Sequence, residues 1–164
     1  VFCIPSSNSV EYFHPTFSTM YKREAVNLSD HVCAMKKQYP DAEIYVGTDS
    51  QNNGRHTTYV TTVVFRFPNN GAHVIYQKHK KPRVPDMWSR LWHEMERSVE
   101  LAQHLENQCG VKVYQIDMDL NEDPKYPSNK VLSAAKGFIE SMGFRAKAKP
   151  NILMAAWAAN SLCH

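Results

Sequence analysis

EIYVGTDSQ, residues 43–51, decides how the rest of the chain is read. Ile44 and Val46 alternate with Glu43 and Tyr45, the period of two expected of a strand entering a core. Gly47, Thr48, Asp49 and Ser50 continue without a clear break in the extended pattern. A carboxylate at the end of a buried strand costs solvation free energy unless another group shares the charge.

The stretch downstream supplies the strand's neighbours. TTYVTTVVFRF (57–67) is rich in β-branched and aromatic residues, PNNG (68–71) is a turn signal, and AHVIYQKHK (72–80) returns. Short connections make these three strands an antiparallel meander. The period then changes: Trp88, Leu91, Trp92, Met95, Val99, Ala102 and Leu105 predict a helix over 85–108, ended by Gly110. VKVYQIDMDL (111–120) reads as a strand and YPSNKVLSAAKGFIESMG (126–143) as a helix with Ser128 as its cap. FRAKAK (144–149) is a short last strand, and 151–163 an alanine-rich helix that packs close to the sheet. Upstream, NLSDHVCAMKKQYP (27–40) predicts a short helix capped by Ser29 or Asp30, after an irregular first 27 or so residues.

The expected organisation is an N-terminal extension over 1–42 and a single α/β domain over 43–164. Its order is βββαβαβα. A meander followed by βαβ units predicts a five-stranded mixed sheet, antiparallel on one side and parallel on the other, with helices on both faces. That order is the ribonuclease H-like arrangement.

Length and composition agree with one domain: 164 residues, 43% hydrophobic and 21% charged. No apolar run approaches the roughly 20 residues that span a bilayer. The opening VFCIPSSNSVEYFHP has no basic start followed by an apolar stretch, so no signal peptide is expected. Cys3, Cys33, Cys109 and Cys163 form no CxxC pair and read as reduced thiols of a cytoplasmic protein. The net charge of +3 leans only mildly toward polyanions.

If strand 43–49 lies parallel to strand 111–120, Asp49 and Asp117 reach the same end of the sheet, where open α/β sheets place their sites. Asp119 shares the strand face of Asp117. Carboxylates gathered in a partly dry cleft repel, and a divalent cation compensates them; oxygen-only ligation favours Mg²⁺ or Mn²⁺ over zinc. A third acid is expected from the long helix. At about 100° per residue, Glu94 borders the inward stripe while Glu96 and Glu100 point further outward.

The motifs YVGTDSQ (45–51), RLWHEMERS (90–98), IDMD (116–119) and KPNILMAAWAAN (149–160) resemble, in order, those of the YkuK-type ribonuclease H-like family. The resemblance covers most of the chain from Glu43 onward. It implies a nuclease-like metal site of Asp49, Glu94 and Asp117, with Asp119 in reserve and a fourth catalytic position at Asn160. Two departures stand out. The fourth-strand motif His-x-Asp-x-Asn becomes Gln115, Asp117 and Asp119, and the acid expected after Ala-Ala on the last helix becomes Asn160. An amide keeps a neutral oxygen donor but removes a charge, which implies a weakened site.

The implied chemistry is two-metal phosphodiester hydrolysis of nucleic acid, RNA, DNA or hybrid, with ions roughly 3.5–4 Å apart bridged by Asp49. A polyanion needs a basic track. Lys78, His79, Lys80, Lys81 and Arg83 supply one run, and Arg145, Lys147 and Lys149 alternate on one face of the last strand. Trp88 and Trp92 could stack on bases, but residues at helical spacing more often belong to a core.

Blander readings accompany each signal. A lone strand-end Asp is commonly a turn or cap residue, basic runs are commonly exposed faces, and His93 and His104 read as ordinary. Two other functions fit the order of elements. One is a non-catalytic nucleic-acid-binding relative. The other is a kinase of the actin-like type, against which stand the absence of a glycine-rich phosphate loop and the size of a single domain.

Overall fold

The computed structural model describes residues 14–151 and 153–163. In chain order its elements are β1 (Thr16–Thr19), β2 (Ala25–Asn27), α1 (Leu28–Gln38), β3 (Glu43–Asn53), β4 (His56–Arg66) and β5 (Ala72–Pro82). They continue with α2 (Met87–Cys109), β6 (Val113–Asn121), α3 (Asn129–Ser141), β7 (Ala146–Lys149) and α4 (Met154–Cys163).

All strands join one mixed sheet in the order β2-β1-β5-β4-β3-β6-β7. β3, β4 and β5 form the expected antiparallel meander, and β6 and β7 run parallel on the far side of β3. The sheet has seven strands rather than five. The two additional ones come from the segment read as irregular, where β1 pairs antiparallel with both β2 and β5. They are four and three residues long, too short for a period of two to stand out. β3 also outruns its expected end, because its ladder with β4 extends to Asn53 opposite His56 and turns at Gly54, whose φ of 58° suits glycine.

Two caps differ from expectation. Asn27, rather than Ser29 or Asp30, caps α1, its Oδ1 accepting from the Asp30 amide at 3.1 Å. Ser128 occupies the cap position of α3, but its hydroxyl accepts from the amide of Asn121 instead. Gly110 ends α2 in the left-handed conformation, as its place in the sequence suggests.

Helices α1, α2 and α3 cover one face of the sheet and α4 the other. The main core lies under α2, where Leu101, Ala102 and Leu105 meet Ile44, Val46, Val63 and Ile116. Burying each such large side chain contributes about 1.5–3 kcal/mol. On the opposite face α4 contributes alanines: Ala155 and Ala158 lie with Tyr45 and Val64, and Ala159 with Val60. The approach is close because β3 carries Gly47 there; a Cβ on Gly47 would stand 2.8 Å from the Ala156 nitrogen. Among the described residues, no helix is long and apolar enough to cross a membrane, and Cys33, Cys109 and Cys163 are free thiols. Cys3 lies outside the described residues.

Candidate active site

The parallel pairing of β3 with β6 sets which acids meet. Gly47 lies opposite Asp117, so continuing the register two residues brings Asp119 beside Asp49 at the carboxyl ends of both strands. Burial, and next the negative charge of Asp119, push the Asp49 carboxyl up to about 6, with Lys149 and Arg90 opposing the rise. Lys149, at the end of β7, forms an ion pair with Asp119.

Glu94 reaches this end from α2. It is 6% exposed, and Ser50 Oγ donates to its Oε1 at 2.5 Å. Burial first, then the charge of Asp49, raise its pKa well above the ordinary value. Beneath it runs a chain of hydroxyls in which Ser98 donates to Thr48 at 2.9 Å and Thr48 to Thr61 at 3.1 Å. This network holds the middle of α2 on the sheet at the turn that carries Glu94. Glu96, the rival acid, instead accepts from Trp92 Nε1 at 3.1 Å and its side chain is 46% exposed.

Asp117 and Asn160 are placed differently from the expectation. Asp117 is 1% exposed, and both of its oxygens are engaged within the fold. Oδ1 accepts from Gln115 Nε2 and Oδ2 from the backbone amide of Ala155, each at 2.7 Å. The carboxylate therefore satisfies the first turn of α4, where helix amides lack partners and favour negative charge. Burial raises its pKa to about 6 against these hydrogen bonds. Asn160 is exposed on α4; the buried stripe consists of Ala155, Ala156, Ala158, Ala159 and Cys163.

The cations fall on both flanks. Val60 bridges Asp49 to Lys78 in one row across the sheet, which puts Lys78 on the face of Asp49. Lys80 follows two residues on and is exposed. Lys81, half-buried, points to the other face by alternation. Arg83 donates to the carbonyl of Gly54 at 2.8 Å and so braces the β3–β4 hairpin. On the other flank Arg145, Lys147 and Lys149 are exposed, while Ala146 and Ala148 of β7 are buried, as their alternation in sequence foretells. Trp92 packs on the core and against Phe138, and Trp88 is half-exposed at the start of α2.

The acids present only oxygen donors, which suits a hard divalent cation in kind. As the side chains stand, no group of three or more His, Cys, Asp or Glu among the described residues is disposed to hold a metal ion. Each acid has another partner instead: Lys149 pairs with Asp119, Ser50 donates to Glu94, and Asp117 accepts from the first turn of α4.

The chain belongs to the ribonuclease H-like family: the family model of that description matches residues 27–164. The match reaches back through α1 and includes every element that carries a site residue. Comparison with curated proteins and with solved structures returned no match.

Proposed function

We propose that the protein hydrolyses phosphodiester bonds of nucleic acid with the help of Mg²⁺ or Mn²⁺, which Asp49, Glu94 and Asp119 would hold. The observation that carries this reading is the convergence of these carboxylates: the β3–β6 register sets Asp119 beside Asp49, and Ser50, next to Asp49 in β3, donates to Glu94. Like charges held together in a partly dry site are costly by themselves and gain most from a bound cation. A bound divalent cation would supply an activated water and neutralise charge developing on the phosphate.

The chain's own residues would do the rest. Ser50 orients Glu94 by donating to its Oε1. Lys78 and Lys80 on one flank and Lys147 on the other would hold phosphates of the substrate, contributing affinity without sequence preference. Lys149 would exchange Asp119 for the incoming cation, which makes it a gate on loading. Asn160, exposed on α4, adds no charge to this set, in keeping with a weak site.

Cleavage of end-labelled RNA, DNA and hybrid duplexes in Mg²⁺, Mn²⁺ or EDTA tests the proposal. Cleavage that EDTA abolishes is the expected result. A second reading, binding of nucleic acid without hydrolysis, is favoured by the ion pair between Lys149 and Asp119, which compensates the site without metal. Binding with no cleavage in any metal would select it.

A further inference from the structure

At the amino ends of β3, β6 and β7, away from the carboxylates, the α4 face of the sheet holds a groove of about 740 Å³. This is within the range of ordinary ligand sites, about 300–1,000 Å³. Its floor is aromatic: the rings of Tyr45 and Tyr114 lie 5.3 Å apart, tilted by 48°. Its rim carries the cations Arg145 and Lys147 on one side and, on the other, Arg66 paired with Glu43. The Arg145 guanidinium lies 4.8 Å from the centre of the Tyr114 ring and donates to the Tyr114 hydroxyl at 3.1 Å. Arg66, across the groove, donates to the Tyr45 hydroxyl at 3.4 Å, and Lys147 lines the same space.

The groove is joined to the carboxylates by β7. Arg145, Lys147 and Lys149 are two residues apart on the exposed face of this edge strand, so their side chains recur about every 6.6 Å. Lys149 meets Asp119 at one end of the row, and Arg145 covers Tyr114 at the other. A row of cations that ends on a guanidinium laid over an aromatic ring matches a single strand of nucleic acid: phosphates follow the charges, and one unpaired base stacks on the guanidinium plane. A duplex keeps its bases stacked on each other and gains nothing from the platform.

We infer that the groove between Tyr45, Tyr114 and Arg145 is a nucleotide subsite that takes one unpaired base of a single-stranded nucleic acid, with the chain's phosphates running along Lys147 toward the carboxylates. The inference rests on the proposed nucleic-acid substrate but not on hydrolysis. It assigns the β7 row a direction and gives the protein a preference for single-stranded over duplex ends.

The test is fluorescence anisotropy with a labelled eight-nucleotide single strand and a duplex of the same sequence, all in EDTA so that cleavage plays no part. Tyr114→Ala removes the ring and hydroxyl that hold the Arg145 guanidinium in place. It should weaken single-strand binding about tenfold, the size of one base stack, and change duplex binding less than twofold. Arg145→Glu, at an exposed position where folding is not at stake, should weaken the single strand at least as much. Single-strand affinities equal to the parent's in both variants overturn the subsite, while the cleavage assay still decides hydrolysis. Equal losses on single strand and duplex overturn base stacking. A parent that binds neither nucleic acid removes both the subsite and the nucleic-acid reading.

Discussion

The carboxylate of Asp117 accepts a 2.7 Å hydrogen bond from the backbone amide of Ala155, tying the middle of the central parallel strand to the first turn of α4. That bond separates two acids that the sequence makes look alike. Asp117→Ala should cost about 1–3 kcal/mol of stability, because it leaves a buried amide unpaired. Asp119→Asn should leave stability close to the parent and remove divalent-ion binding. Urea melts and Mn²⁺ calorimetry on the two variants check the division of labour. Loss of ion binding in a fully stable Asp117→Ala would reverse it.

Gly47 is where α4 comes closest to the sheet. A methyl group there would meet the Ala156 nitrogen at 2.8 Å and the Ala155 carbonyl carbon at 2.9 Å, both backbone atoms that cannot rotate away. Gly47→Ala should therefore destabilise by about 1–3 kcal/mol or more. An unchanged urea midpoint would mean that α4 rides farther from β3.

Lys149 competes with a cation for Asp119. Lys149→Met should tighten Mn²⁺ binding several-fold and push the Asp49 carboxyl further up in the metal-free protein, since the ammonium now opposes that rise. Calorimetry reads the first effect and a carboxyl NMR titration the second. Weaker Mn²⁺ binding would make Lys149 a support of the site instead.

Asp49 gives the stability a definite pH dependence. Its folded value, about 6, lies above its ordinary 3.8, so the fold binds this proton more tightly than the unfolded chain does. The corresponding stability is present below about pH 4 and is lost as pH rises through about 6. Asp49→Asn removes this loss. The variant should match the parent's unfolding free energy near pH 4 and exceed it at pH 7, both in EDTA. A variant less stable than the parent at pH 7 would show that the charge at Asp49 is compensated within the fold.

The sequence displays the meander, the long helix and the alternation of Arg145, Lys147 and Lys149 because each rests on a local period. It places Glu94 inward and Glu96 outward for the same reason. It cannot separate Asp117 from Asp119, which share parity on one strand. Their difference arises from the register of β6 against β3, fixed by packing between distant segments. β1 and β2 were illegible because they are short and depend on β5 for their pairing. The Tyr45–Tyr114 groove brings together residues 69 positions apart, and no spacing in the chain announces it.

In the proposed site Asp49 lies between Glu94 and Asp119, where a cation that drives hydrolysis would bind. The most direct measurement is the Mn²⁺-dependent cleavage rate of a labelled single-stranded RNA and DNA by the parent and by Asp49→Asn, each confirmed as folded by circular dichroism. The expected result is cleavage by the parent that EDTA abolishes, and a rate at least a hundred-fold lower (~3 kcal/mol) in the variant. Parent and variant cleaving at the same rate would contradict it.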